Sequence, residues 1–217
     1  MEVARDIQLA DLTGARLHFC HISSQASLEI IRAAKAQGSK VTAETCPHYF
    51  HLTDEAVMHY NVYAKMNPPL RTENDVRAIK QALRSGDLDI ISTDHAPHTD
   101  NEKNVEFDKA PFGIIGLETS LALSLKLVPE KVLTMTQLVE KMSLNPARIL
   151  KLDRGHLSEG AAADVTIFDP NLEWTVEKDK LESKSKNSPF LGWKMKGMAT
   201  DVICEGRQVL QNGKIVA

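Results

Sequence analysis

The segment LDIISTDHAPH, residues 88–98, places a carboxylate and two imidazoles directly after a short apolar run. Residues 88–92 are predicted to form a buried strand, and Asp94 stands in the turn that follows it. A carboxylate at such a position can bind a divalent cation and accept a proton from water. The alternative interpretation is a structural turn in which Asp94 caps the loop.

Upstream of this segment, helical and strand-like patterns alternate three times. Apolar residues recur at helical spacing in three stretches, and each stretch is followed by an apolar run of strand length. The predicted helices span residues 3–12, 27–37 and 72–86, and the predicted strands span 17–20, 41–45 and 88–92. Such alternation is typical of parallel βα units, which occur in TIM barrels and in doubly wound sheets.

Polar residues at the strand ends favour the barrel. His21, His48 and Asp94 each follow the C-terminal end of a predicted strand, where a TIM barrel places its active site. A doubly wound sheet would concentrate its site at one switch point, and no strand here is followed by a glycine-rich phosphate loop. We therefore predict an α/β fold of the TIM-barrel type.

His21 and Asp94 together indicate a metal site. A lone histidine at a strand end is more often structural, but imidazole plus carboxylate is ordinary zinc ligation. We expect the two side chains to project from neighbouring strands towards one metal position. For His48 a structural or supporting role is favoured over a ligand role.

Two further segments are candidates for ligand binding. Asn67-Pro68-Pro69-Leu70-Arg71 offers an amide and a guanidinium on a rigid backbone, which suits a planar amide or a carboxylate. In Ala110-Pro111-Phe112-Gly113 the glycine would let a backbone amide approach a ligand closely. The Asn67–Arg71 segment could equally be a plain loop, and the Ala110–Gly113 segment could equally be a hinge.

From about residue 161 the pattern is that of a small β-rich segment. Strand-like runs at 163–168, 193–196, 201–204 and 208–210 are separated by turn residues. We predict two regions, a barrel part at residues 1–160 and a β layer at residues 161–217. The charged stretch Glu177 to Ser188 is predicted to be an exposed connection.

Composition excludes several functional classes. With 26 basic and 29 acidic residues the net charge is −3, which favours neither nucleic acid nor an anionic membrane as a partner. No apolar run has the length of a membrane span, and the N-terminus lacks a secretory signal pattern, so a cytoplasmic location is predicted. Three widely spaced cysteines indicate reduced, mostly buried thiols.

Several motifs occur in an order that resembles the class I dihydroorotases of the amidohydrolase superfamily. They are CHISS, ETCPHY, KMNPPLR, STDHAPH and APFG, followed by SLNPARIL and ADVTIFDP. The resemblance implies the last strands of a distorted (β/α)8 barrel followed by a small β layer. It also implies zinc-dependent interconversion of N-carbamoyl-L-aspartate and dihydroorotate, a step of pyrimidine biosynthesis.

The resemblance implies roles for individual residues. His21 would be a zinc ligand, and Asp94 would be both a zinc ligand and the catalytic acid/base. Asn67 and His98 would contact the substrate. The backbone around Phe112 and Gly113 would help to hold it.

The sequence departs from the family pattern in its metal ligands. The family draws its first ligands from a His-x-His pair on the first strand, and no His-x-His occurs here. Three barrel strands can be counted where the fold needs eight. We therefore expect the chain to be inactive alone and to pair, at its open sheet edge, with a second copy or a complementing N-terminal half.

Two rival interpretations stay open. The half-barrel could be a non-catalytic fragment or pseudo-enzyme that serves as a scaffold, in which case it would bind no zinc tightly. It could also belong to a hydantoinase- or allantoinase-like hydrolase that acts on another cyclic amide. Whether the enzyme is a dihydroorotase or a hydantoinase-like hydrolase, its partner is predicted to be a small-molecule substrate.

Overall fold

Three helix–strand units form the first part of the chain in the computed structural model, which describes residues 1–216. The helices are α1 (Glu2–Thr13), α2 (Gln25–Ala36) and α3 (Glu73–Ser85), and the strands are β1 (Leu17–Phe19), β2 (Val41–Thr45) and β3 (Ile90–Ile91). The predicted order of elements is confirmed. The strands β1 and β3 are shorter than predicted.

Local sequence signals set the ends of these helices. Gly14 follows α1 with φ 72° and Gly86 follows α3 with φ 90°, in the left-handed region that favours glycine. Thr72 caps α3 together with Asp75, whose carboxylate accepts the Thr72 backbone N–H at 3.2 Å. Gly14, Thr72 and Gly86 therefore mark ends of α1 and α3.

The three strands form one parallel sheet in the order β1-β2-β3. Leu17 lies opposite Val41 in the first pair of strands, and Glu44 lies opposite Ile90 in the second. Because the strands run in the same direction, their C-terminal ends meet at one edge of the sheet. Residues that directly follow the strands are thereby gathered in one place.

Aliphatic side chains fill the space between these helices and strands. Ile31 of α2, Ala43 of β2 and Leu83 of α3 are at most 1% exposed. The outer strand β1 differs, because Leu17 and Phe19 are only partly buried. Parallel sheets are normally covered on both faces, so the β1 side of the sheet keeps apolar side chains in contact with solvent.

Helices connect the two sheets of the chain. They are α4 (Asp100–Lys103), α5 (Leu117–Leu125), α6 (Met135–Val139), a π-helical turn (Glu140–Leu144) and α7 (Asn145–Leu150). Short 3₁₀ segments lie at Pro47–Phe50, Asp54–Tyr60, Val62–Ala64 and Lys178–Lys180. Within residues 1–216, none of the helices is both long and apolar enough to cross a bilayer.

An antiparallel sheet in the order β4-β5-β6-β7 follows. Its strands are β4 (Val165–Thr175), β5 (Lys194–Cys204), β6 (Arg207–Gln211) and β7 (Lys214–Ile215). The prediction of a small β layer is confirmed, although the runs predicted at 193–196 and 201–204 belong to one strand. The division at residues 160 and 161 stays a prediction, and Ala217 lies outside the described residues.

The β layer packs against helix α5. Gly197 of β5 faces Leu125 of this helix and has φ 99°, in the left-handed region that favours glycine. Trp174 Nε1 donates to Gly197 O at 3.0 Å across β4 and β5. One hydrophobic core therefore continues from α5 into the sheet, where Val176 and Met195 are buried.

The prediction that Glu177 to Ser188 is an exposed connection is wrong for part of this stretch. Leu181, Asn187 and Ser188 are buried, and Asn187 is fully inaccessible. Lysines and serines give the stretch a surface-like composition. The burial of Asn187 depends on hydrogen bonds to loops about 90 and 74 residues away in sequence, which local composition does not reveal.

Candidate active site

His21 and Asp94 meet at the C-terminal edge of the parallel sheet. The distance from His21 Nε2 to Asp94 Oδ1 is 3.5 Å. The expectation of neighbouring strands is wrong, because the residues follow β1 and β3, which flank β2. Both have positive φ, 58° for His21 and 48° for Asp94, which is uncommon outside glycine and frequent at functional sites.

The pair has the spacing of two ligands of one zinc ion. Tetrahedral zinc with ligands at about 2.0–2.1 Å places neighbouring ligand atoms about 3.3 Å apart. The separation of 3.5 Å between Nε2 and Oδ1 fits that geometry. Each side chain is 27% exposed, so an ion and a substrate can reach it. His21 and Asp94 therefore fit zinc as two members of a larger ligand set.

Glu44 lies beside this pair and fixes the orientation of His21. Its Oε1 is 3.0 Å from His21 Nδ1 and accepts a hydrogen bond of 2.7 Å from Ser92. Its Oε2 is 3.3 Å from His18 Nε2. A carboxylate that binds one ring nitrogen while the other faces the metal position is the usual support of a zinc-ligating histidine.

The same contacts control protonation around His21. Burial raises the pKa of Glu44, but hydrogen bonds from His18, His21 and Ser92 outweigh it and hold that pKa well below its ordinary value. The hydrogen bond with Glu44 raises the pKa of His21, against the opposing effect of burial. Glu44 is therefore an anion at neutral pH that polarises the His21 ring.

The sequence pattern does not single out Glu44. It stands inside the predicted strand 41–45, where a charged residue usually marks the solvent face. In the structure Glu44 is 8% exposed, and so buried a carboxylate needs partners. A useful signal would have been a carboxylate near the C-terminal end of an otherwise apolar strand.

Cys46 and His48 pack behind the pair. Cys46 is buried, with Sγ 3.4 Å from His21 Nδ1. His48 is 2% exposed, and its ring lies edge-on to Tyr49 with centroids 4.1 Å apart. Burial lowers the pKa of His48 to about 3, so it is neutral at physiological pH. These features support the structural role favoured for His48.

A second group of possible ligands adjoins Glu44. Ligand atoms of His18, Cys20 and Glu44 lie within 4.8 Å of one another. Glu44 is already engaged by two histidines and a serine, and His18 Nδ1 is 2.8 Å from Thr42 Oγ1, so the group supports His21. Cys20 and Cys204 are exposed, and the prediction of mostly buried cysteines is therefore wrong.

His98, Phe112 and Gly113 form a second cluster, on the loops that follow β3. His98 Nε2 is 2.8 Å from Phe112 O. Gly113 N–H donates to Lys65 O at 2.9 Å, and Gly113 O accepts from Lys103 Nζ at 3.1 Å. The structure thus brings these three residues together. Their contacts with substrate stay predictions.

Two buried lysines hold the segment around Phe112 in place. Lys65 Nζ donates to the carbonyls of Phe107, Asp108 and Ala110 at 2.6, 3.0 and 2.6 Å. The same ammonium lies 4.8 Å from the centroid of the Phe112 ring. Lys103 Nζ donates to Pro111 O at 2.8 Å, and burial lowers its pKa to about 8. Local residue pattern does not indicate that either lysine is buried.

Asn67 lies in the segment that these contacts fix. Its side chain is exposed. The carbonyl of the next residue, Pro68, accepts a hydrogen bond of 2.7 Å from the Tyr49 hydroxyl. On the other side, Lys65 O accepts from Gly113 N–H. The backbone around Asn67 is therefore tied both to the 3₁₀ segment Pro47–Phe50, which follows β2, and to the Phe112 segment.

Comparison with known sequences identifies close relatives. Residues 2–209 match the amidohydrolase family. A dihydroorotase of Geobacter metallireducens is 59% identical over 206 residues, which cover 95% of this chain and 49% of that protein. A dihydroorotase of Geotalea daltonii is 62% identical over 207 residues, with the same coverage of 95% and 49%. The chain spans about half the length of the curated relatives it matches.

Comparison with solved structures agrees on the fold. The L-hydantoinase (dihydropyrimidinase) of Arthrobacter aurescens matches with a TM-score of 0.92 and 28% identity. The match covers 99% of this chain and 49% of that one. The α/β prediction of a partial TIM-type barrel followed by a small β layer is thereby confirmed.

Proposed function

The chain belongs to the amidohydrolase family, and from that membership we propose that it supplies the C-terminal part of a dihydroorotase active site. The proposed reaction is the reversible, zinc-dependent interconversion of N-carbamoyl-L-aspartate and dihydroorotate in pyrimidine biosynthesis. The observation that carries the proposal is the 3.5 Å approach of His21 Nε2 to Asp94 Oδ1. It occurs in a chain 59% and 62% identical to two dihydroorotases.

The two residues of the pair have different tasks. His21 and Asp94 would hold a zinc ion, which would supply Lewis-acid polarisation of the cyclic amide and of the attacking water. In the hydrolytic direction the Asp94 carboxylate takes a proton from that water and passes it to the departing ring nitrogen. In ring closure the same carboxylate carries the proton in the opposite direction. Glu44 keeps the His21 ring oriented for zinc binding.

The second cluster binds the substrate. His98 and Asn67 provide imidazole and amide groups, which suit the carboxylate and ring amides of dihydroorotate. The backbone of Phe112 and Gly113 completes this side of the site. The support for this assignment is that Lys65 fixes both the Asn67 segment and the Phe112 segment.

The open side of the parallel sheet binds further polypeptide. Leu17 and Phe19 of β1 are partly exposed, and a catalytic zinc site takes three protein ligands, one more than His21 and Asp94 provide. We assign the remaining ligands to a complementing N-terminal half or to a second copy of the chain. The reaction takes place in the cytoplasm on a small molecule, without nucleic acid or membrane.

A hydantoinase-like activity is the second candidate. It is favoured by the 0.92 TM-score to an L-hydantoinase, at 28% identity. The 62% identity to a dihydroorotase favours the first candidate. A non-catalytic scaffold has no need of two ligands at zinc spacing in backbone conformations that cost about 1–3 kcal/mol each.

Turnover measurements on the reconstituted site test the proposal. The purified chain with zinc is assayed alone and after mixing with the separately expressed N-terminal half of the Geotalea daltonii relative. We expect dihydroorotate hydrolysis only in the mixture, with zinc bound near stoichiometry. Equal activity in both samples would refute the need for further polypeptide. Turnover of hydantoin with no turnover of dihydroorotate would refute dihydroorotate as the substrate. A mixture that neither binds zinc nor turns over either compound would support the scaffold interpretation.

Replacing Glu44 with glutamine is expected to weaken zinc binding in the mixture by about 10- to 100-fold. Glutamine keeps the size of the side chain but removes the negative charge 3.0 Å from His21 Nδ1. Zinc affinity is measured by competition with a chelator. Glu29→Gln on the exposed face of α2 is the matched control, and we expect it to leave the affinity unchanged. Equal affinities of the two variants would contradict the positioning role of Glu44.

A further inference from the structure

Asn187 is a buried side chain that joins two loops distant from it in sequence. Its side chain is fully inaccessible. The amide nitrogen Nδ2 donates to Ala96 O at 2.9 Å and to Gly113 O at 3.2 Å. The amide oxygen Oδ1 accepts the backbone N–H of His98 at 3.1 Å. Both ends of the amide are therefore used, each on backbone of the candidate site.

The two loops are packed without spare room. We name them the His98 loop, residues 93–98, and the Phe112 loop, residues 110–115. A side-chain carbon at Gly113 would lie 2.5 Å from Ala96 Cβ, so the loops approach as closely as glycine allows. Ala96 N–H donates to Ile114 O at 2.8 Å across the same contact. Their relative position therefore decides where His98 stands against the Phe112 backbone.

Two buried lysines hold the Phe112 loop. Lys65 and Lys103 bind carbonyls of the Phe112 loop at Ala110, Pro111 and Gly113. Asn187 differs from these lysines because its side chain bonds to both loops at once. Its backbone carbonyl adds a fourth hydrogen bond by accepting Ile115 N–H at 3.0 Å. A residue from the segment before β5 thus sets the distance between the two loops.

We propose that Asn187 is a positioning residue that holds His98 against the Phe112–Gly113 backbone and so shapes the substrate side of the site. The identity of the substrate in this inference rests on the proposed function. The geometry of the two loops does not depend on that function. The position requires one acceptor and two donors, which the asparagine amide provides. Aspartate would keep the acceptor for His98 N–H and turn a negative oxygen towards two carbonyls.

Hydrogen exchange tests the role in the loops. Backbone amide exchange of Ala96 and His98 is measured in the wild-type chain, Asn187→Leu, Asn187→Asp and the control Phe190→Leu. Phe190 is 1% exposed in the same segment, so its replacement lowers stability without removing these hydrogen bonds. We expect Asn187→Leu to speed exchange of both amides by about tenfold or more. In Asn187→Asp, of these two amides only that of Ala96 should exchange faster. In Phe190→Leu, the ratio of the exchange rates of Ala96 and His98 to those of the α3 amides should stay unchanged.

Kinetics of the mixture with the N-terminal half test the role in substrate binding. We expect both Asn187 variants to raise the KM for dihydroorotate by about tenfold, with zinc content unchanged and kcat altered less. Phe190→Leu should keep the wild-type KM. Wild-type exchange rates in Asn187→Asp, or equal effects of Phe190→Leu, would overturn the inference. Absence of turnover in the wild-type mixture would overturn the proposed function, while the exchange data would still decide whether Asn187 holds the loops.

Discussion

Asp94→Asn is expected to lower the kcat for dihydroorotate hydrolysis by at least about 1,000-fold in the mixture with the N-terminal half. Asparagine has nearly the same shape but cannot accept a proton from water. It also removes the negative charge of the proposed zinc ligand 3.5 Å from His21 Nε2, so bound zinc should decrease as well. The measurement is a steady-state assay at saturating zinc together with metal analysis of the purified mixture.

The matched control is Asp100→Asn, six positions later in the chain. Asp100 is exposed at the start of α4 and lies 3.9 Å from Lys178 Nζ. We expect this variant to retain wild-type turnover and zinc content. A reduction of less than about tenfold for Asp94→Asn would contradict the acid/base role. Loss of zinc with little loss of turnover would contradict it equally.

Lys65→Met is expected to lower the free energy of unfolding of the chain by about 3 kcal/mol or more. The ammonium is the shared donor for three backbone carbonyls at 2.6 to 3.0 Å, and methionine would leave them without it. Lys65 is only 8% exposed, so water cannot easily replace the lost donor. Urea unfolding followed by circular dichroism measures the change.

Lys109→Met provides the control for this change. Lys109 lies between Asp108 and Ala110, whose carbonyls Lys65 binds, but Lys109 is exposed. Its ion pair with Glu106, at 3.1 Å, joins two side chains that are mostly in water. We expect a change of less than about 0.5 kcal/mol for this variant. If Lys65→Met were no more destabilising than Lys109→Met, Lys65 would not be the support of the Phe112 segment.

The fold of the first part was predictable because its signals are local. Helical spacing of apolar residues and the caps at Gly14, Thr72 and Gly86 act within one helical turn, and all three caps are present. The convergence of His21 and Asp94 was predictable in outline from the common direction of parallel strands. Their separation by an intervening strand was not, since strand order is a property of the whole sheet.

Local pattern failed where a polar group is buried by distant partners. Glu44, Lys65 and Asn187 are polar residue types that usually lie at the surface. Each is instead buried, because its hydrogen-bond partners come from segments 23 to 91 residues away. Sequence periodicity measures the average polarity of a face and does not report such individual partners.

By itself the amino-acid sequence determined the βα order, the helix ends, the β layer and the identity of the candidate metal ligands. Spacing and residue type are sufficient for these, because each depends on a few consecutive residues. Only the tertiary structure decided that Glu44 orients His21, that Lys65 supports the Phe112 segment, and that Asn187 joins the two loops. Buried polar groups require complementary partners in three dimensions, and chain folding alone brings those partners together.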